Sequence, residues 1–108
     1  MSIATDWPPV SLTIDGVAFD RYHYFEDADT LCFHTGPADW AVDFDETVED
    51  HHLRFGADGG LLSLSILNAR LRLERDGAID ITLHDSGPTT RLTRELVEPL
   101  LVDTPLDY

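Results

Sequence analysis

The sequence lacks lysine altogether and has little positive charge of any kind. Its seven basic residues are all arginine and stand against 21 aspartates and glutamates, so the 108-residue chain carries a formal net charge of −14. A nucleic-acid-binding domain needs a basic face that displaces counterions from phosphates, and anionic membrane surfaces repel an acidic protein. The charge balance therefore predicts neither a nucleic-acid partner nor a membrane partner.

Cysteine and long apolar runs are also scarce. The single Cys32 cannot form an internal disulfide, so no oxidising compartment is required. No apolar run approaches the roughly 20 residues that span a bilayer, and residues 1–7 have neither the positive charge nor the apolar stretch of a secretory signal. These features predict a cytoplasmic protein.

Short turn signals divide the chain into runs of alternating apolar residues, which is typical of antiparallel hairpins. The turns are predicted at Asp15-Gly16, at residues 26–29, at Asp58-Gly59 and at residues 75–77. In the last turn, Gly77 would be left-handed and would set Arg72 opposite Asp80. Breaks in the alternation predict bulges or bends at Asp20-Arg21 and at residues 67–69.

The hairpin registers place one apolar set on one face of the sheet. The predicted core is Leu12, Ile14, Phe19, Leu31, Phe33, Leu53, Phe55, Leu62, Leu64, Ile66, Leu71, Leu73, Ile79 and Ile81.

The pattern changes period only near the C-terminus, where Leu92, Leu96, Val97 and Leu100 have helical spacing. We therefore predict one domain over residues 1–108, of the α+β class and mostly β. A lead-in (1–9) precedes an antiparallel meander of about seven short strands (10–84). One C-terminal helix (88–101) and a tail (102–108) follow it.

Two stretches resemble a known family. Residues 24–33, YFEDADTLCF, resemble its Y-D-x-x-A-D-x-L-Y-I opening, and residues 57–69, ADGGLLSLSILNA, resemble its acidic-Gly turn followed by a Leu-Val-Gly-Ile-Glu-Ile-Leu-x-Ala strand. Between them, Glu46-Thr47-Val48 stands where that family has a Thr-Glu-Val-like segment. Over residues 20–70 the chain is thus similar to the small bacterial domain of unknown function 2283, from which it departs at Ser63 and Ser65, often Gly and Glu in the family.

The resemblance implies a small β-rich cytoplasmic protein without an established activity. Members of the family often look like partners of small neighbouring proteins, which implies an antitoxin-like or other interaction role. No catalytic residues are implied.

One polar cluster has the composition of a metal site. The predicted register puts His23, Cys32 and His34 on one sheet face, where imidazole and thiolate could hold zinc. The alternative is an ordinary polar face, and we expect no stoichiometric metal because no second cysteine supports the set. His51 and His52 point to opposite faces of a strand, so they do not form a ligand pair.

No cofactor or catalytic motif is recognisable, so the sequence predicts a non-enzymatic protein-interaction module. Its acidity is explained either by salt adaptation or by a basic protein partner. An antitoxin-like role, which the resemblance implies, or a homodimer fits as well. The alternative is a small metal- or ligand-binding domain that uses the His23, Cys32 and His34 face. The predicted interface residues are Trp7, Trp40, Leu92, Leu96 and Leu100.

Overall fold

Eight strands dominate the computed structural model, which describes residues 7–36 and 41–101. The strands are β1 (Pro9–Ile14), β2 (Val17–Phe25), β3 (Thr30–His34), β4 (Asp43–Glu46), β5 (His52–Phe55), β6 (Leu61–Leu67), β7 (Ala78–Ile81) and β8 (Thr90–Thr93). The helices are α1 (Ala69–Asp76) and α2 (Arg94–Val97), with 3-10 turns at Glu26–Ala28 and Glu98–Leu100. The predicted class, a mostly β chain with a short C-terminal helix, is confirmed.

Two antiparallel sheets are formed. The larger has six strands in the order β1-β2-β3-β6-β5-β4, and the smaller pairs β7 with β8. The larger sheet therefore consists of two three-stranded meanders, joined side by side through β3 and β6, rather than one continuous meander. This arrangement leaves β1 and β4 as its edge strands.

The first two predicted hairpins are confirmed residue by residue. Leu12 pairs with Phe19 across the Asp15-Gly16 turn, and His23 pairs with Cys32 across the 26–29 turn. The bulge predicted at Asp20-Arg21 in β2 occurs instead in the facing strand, because β1 rather than β2 contains the extra residue. At the third hairpin Leu53 pairs with Leu64 as predicted, but a register shift then sets Phe55 opposite Leu61 instead of Leu62.

The predicted hairpin at residues 75–77 is wrong, and the segment before it is α1. Ala, Leu, Arg and Glu fill residues 69–75, and they are among the strongest helix formers. The Leu/Arg alternation predicted that Leu71 is buried in a strand, but Leu71 is 55% exposed on the surface of the helix. Gly77 is left-handed as expected, but it ends the helix, with its N–H donating to the Leu73 carbonyl. The predicted bend does occur at Asn68, which has a φ of 57°.

The predicted helix over residues 88–101 is wrong in its first half. Residues 90–93 form β8, which pairs Leu92 with Ile79 and Arg91 with Asp80, so Asp80 faces Arg91 rather than Arg72. The helical part is limited to α2 and the 3-10 turn that contains Pro99. The predicted β region, 10–84, likewise contains α1. Residues 1–6, 37–40 and 102–108, which include the predicted tail, lie outside the described residues.

One apolar core joins the two sheets and both helices. It contains Leu31, Phe33 and Leu64 from the larger sheet, Leu73 from α1 and Val97 from α2. Eleven of the 14 predicted core residues are buried, Phe55 and Leu62 are half-buried, and Leu71 is exposed. Within the described residues no helix is long and apolar enough to cross a membrane.

Candidate functional site

The face of the six-stranded sheet opposite the core is polar, and we call it the outer face. Because side chains alternate along a strand, residues paired across the sheet share a face. Two cross-strand rows define it: Arg21, His34, Ser63, Arg54 and Phe44, and then His23, Cys32, Ser65, His52 and Glu46. Three of the five histidines of the chain therefore lie on this one face.

The predicted His23, Cys32 and His34 cluster exists, and Trp7 covers it. The Trp7 ring stacks on His23, with centroids 5.9 Å apart and planes at 26°, and meets His34 edge-on at 6.4 Å. The Arg21 guanidinium donates to the Trp7 carbonyl at 3.2 Å, which holds this segment in place. All three cluster residues are buried beneath it.

The chemistry of this covered cluster is limited. Cys32 Sγ lies 3.3 Å from Ser65 Oγ, and burial raises the pKa of the Cys32 thiol, which disfavours the reactive thiolate. Within the described residues, His34 Nε2 is buried without a hydrogen-bond partner. Among residues 7–36 and 41–101, no three His, Cys, Asp or Glu side chains lie close enough to hold a metal ion. The cluster thus shares a face without forming a ligand set.

A second feature lies at the far side of the sheet, in β4 and its flanks. We call residues 42–48 the β4 edge. Its three apolar side chains are among the most exposed in the described chain: Val42 is 62% exposed, Phe44 is 65% and Val48 is 70%. Asp43, Asp45 and Glu46 lie exposed among them. Exposed apolar side chains flanked by carboxylates are suited to a partner with an apolar site and basic neighbours.

Two backbone N–H groups of β4 donate to aspartate side chains of the same strand. The Phe44 N–H donates to Asp43 Oδ1 at 2.9 Å, and the Glu46 N–H donates to Asp45 Oδ1 at 2.8 Å. Each aspartate therefore accepts the hydrogen bond of the next residue along the edge strand. Charged residues on an edge strand oppose pairing with another chain.

The loop after β4 is anchored to the small sheet. Glu49 Oε2 accepts from the Thr82 hydroxyl at 2.6 Å, and its Oε1 accepts from the Thr82 N–H at 3.1 Å. Burial alone would raise the pKa of Glu49, but these bonds and one from Thr47 outweigh burial and lower it. His51 is fully buried with Nε2 2.8 Å from the Asp80 carbonyl oxygen, and burial lowers the pKa of His51. The β4 edge is thus held by a fixed turn.

The arginines neutralise few carboxylates. Only Asp76, Asp80 and Glu98, of the 17 acidic residues in the described part of the chain, form an ion pair with arginine. Arg70 and Arg72 instead donate to the carbonyls of Leu101 and Leu67. The negative charge of the sequence therefore remains as a negative surface.

Two of the predicted interface residues are not on the surface. Trp7 is buried over the His23, Cys32 and His34 cluster and Leu92 lies in the core, so the prediction is wrong for both. Leu96 is 40% exposed and Leu100 half-buried, while Trp40 lies outside the described residues. The sequence analysis did not predict the β4 edge, although the alternation of apolar and acidic residues over positions 42–45 is typical of a strand.

Comparison with known proteins adds no relative: no family model, no curated protein and no solved structure matches the chain.

Proposed function

We propose that the chain is a protein-interaction module that acts by binding rather than catalysis, and that its β4 edge docks a basic protein partner. The exposure of Phe44 beside Asp43 and Asp45 is the observation that carries this proposal. Hiding these apolar side chains from water contributes favourably to the free energy of binding. The neighbouring carboxylates select a partner with lysine or arginine around its apolar site.

The charge of the whole chain supports the same partner. A net charge of −14 on 12.1 kDa attracts a basic protein over long range, and the attraction speeds encounter. The fixed turn at Glu49 and His51 supports it too, because a rigid β4 edge loses little conformational entropy when it is covered.

The resemblance to the domain of unknown function 2283 agrees with this role but stays a prediction, as do the antitoxin-like role and the cytoplasmic location. The alternative, a ligand-binding domain, would use the histidine cluster under Trp7. The Nε2 of His34, which has no hydrogen-bond partner among the described residues, is the one observation in its favour. That site would open only if Trp7 moved away from His23.

A variant-dependent capture experiment tests the proposal. The chain is immobilised and exposed to a lysate of its source cells, and bound proteins are identified by mass spectrometry. The test variant, Val42→Ser with Phe44→Ser, removes two of the three exposed apolar side chains of the β4 edge. The control, Leu71→Ser with Leu96→Ser, removes two apolar side chains from the helices that are 55% and 40% exposed.

The expected result is an identified basic protein that binds the wild type and the control variant but not the β4-edge variant. Equal capture by both variants would overturn the assignment to the β4 edge. Loss in Trp7→Ala, with capture by the β4-edge variant intact, would favour the histidine cluster instead.

A further inference from the structure

The register of β4 shows which of its backbone groups face away from the sheet. The Thr47 N–H donates to the His51 carbonyl at 2.8 Å, one residue beyond the paired Glu46 and His52. In an antiparallel ladder, hydrogen-bonded and non-bonded pairs alternate. The odd residues of β4 therefore direct their N–H groups toward β5, and Phe44 and Glu46 direct theirs outward.

Those two outward donors are the ones that the aspartates occupy. Asp43 Oδ1 lies 2.9 Å from the Phe44 nitrogen, and Asp45 Oδ1 lies 2.8 Å from the Glu46 nitrogen. An incoming strand would need both donors for its own carbonyls. It would first have to displace two charge-assisted hydrogen bonds, which are stronger than bonds between neutral groups.

We propose that Asp43 and Asp45 close the outward edge of β4, and that without them this edge pairs with β4 of a second copy. A second copy is the fitting occupant because its β4 presents the same outward donors and the same exposed Phe44, as two-fold antiparallel pairing requires. The inference concerns the strand edge alone and does not rest on the basic partner proposed above.

Charge adds a second barrier in the wild type. A two-fold antiparallel pairing centred on residue 45 places Asp45 opposite Asp45 of the second copy. A pairing centred on residue 44 places Asp43 opposite Asp45 of the second copy. Like charges directly opposite each other destabilise a strand pair. The aspartates thus block self-pairing in two ways, by occupying the outward N–H donors and by repelling each other. Asparagine separates the two effects because it keeps the acceptor oxygen but has no charge.

Sedimentation velocity on three chains tests this inference. Asp43→Asn with Asp45→Asn removes both charges but keeps an oxygen that accepts from the next N–H. Asp43→Ala with Asp45→Ala removes the charges and the acceptors. The self-association constant of the alanine variant should exceed that of the asparagine variant by at least about tenfold, because only alanine leaves the outward donors unoccupied.

A proline supplies the rescue. Glu46→Pro, added to the alanine variant, removes an outward donor without removing a bond to β5, so it should return self-association to the level of the asparagine variant. Equal self-association of the alanine and asparagine variants, or an alanine variant unaffected by the proline, would overturn the inference. If the double alanine variant fails to fold, as judged by circular dichroism, Asp45→Ala against Asp45→Asn makes the same comparison at one donor.

Discussion

The carboxylate of Asp29 caps α1, which begins 40 residues later, at Ala69. Asp29 Oδ1 accepts from the Arg70 N–H at 2.8 Å, and Oδ2 accepts from the Leu71 N–H at 3.2 Å. Helix α1 has no capping bond from its own Asn68 side chain. The β2–β3 turn therefore supplies the acceptor that the first turn of α1 lacks, and a negative charge there also suits the helix dipole.

Replacing Asp29 tests this long-range cap. Asp29→Ala should lower the free energy of unfolding by about 2 kcal/mol, because it removes the cap and places alanine in a left-handed conformation with a φ of 48°. Asp29→Asn keeps an acceptor and tolerates that conformation, so its cost should be less than about half as large. Urea unfolding of both variants measures the difference, and equal losses would contradict the capping role.

Leu64 and Leu71 test the corrected fold. Leu64 is fully buried between Leu53 and Phe33, so Leu64→Ala should cost roughly 2–4 kcal/mol. Leu71→Ala should cost under about 0.5 kcal/mol, because Leu71 is exposed and alanine favours a helix. Denaturant unfolding separates the two, and a large loss at Leu71 would restore the strand that the alternation predicted.

The contrast between these two leucines shows how far the sequence could predict the fold. Where strands are neighbours along the chain, turn residues and facing apolar pairs were sufficient, as at Leu12 and Phe19. At residues 69–75 the same alternation occurs in strong helix formers, and two periods compete. The pairing of β8 with β7 was hidden because Leu92 and Val97 fit a helical spacing as well as a strand followed by a turn.

His51 should make stability depend on mildly acidic pH. Burial lowers the pKa of His51 below 6.5, and its Nδ1 is buried without a hydrogen-bond partner in the part of the chain that the structure describes. The unfolded chain therefore takes up a proton as pH falls below about 6.5 while the native chain does not, so stability contributed by neutral His51 is lost on acidification. His51→Gln should show a smaller fall in unfolding free energy between about pH 7 and pH 5 than the wild type.

The same substitution at exposed His52 is the matched control for that measurement. It should reduce the fall less than His51→Gln does. An equal reduction by both variants would mean that burial of His51 is not the cause.

Cys32 should be protected from thiol reagents. It is buried beside Trp7, and burial raises the pKa of its thiol. Trp7→Ala should speed its modification at least about tenfold, because it uncovers the thiol, whereas Leu96→Ala should leave the rate unchanged. Labelling followed by mass spectrometry gives the rates, and fast modification of the wild type would contradict the cover.

The sequence could predict only part of the candidate site, because local patterns do not show which segments meet in the fold. Residue types and hairpin register correctly put His23, Cys32 and His34 on one face. Whether another segment covers that face depends on a contact with Trp7, a residue outside every predicted hairpin. The exposure of Phe44 depends on β4 lying at an edge, and strand order is not encoded in local alternation.

The association rate of the chain with the basic protein identified by capture tests the central claim most directly. The rate constant should fall as salt rises, because steering is screened over about 8 Å at 0.15 M. Asp43→Asn, Asp45→Asn and Glu46→Gln together should lower it by about threefold or more relative to Glu74→Gln, Asp85→Asn and Glu95→Gln, which remove the same charge elsewhere. Equal rates for the two triple variants, or a rate insensitive to salt, would contradict docking at the β4 edge.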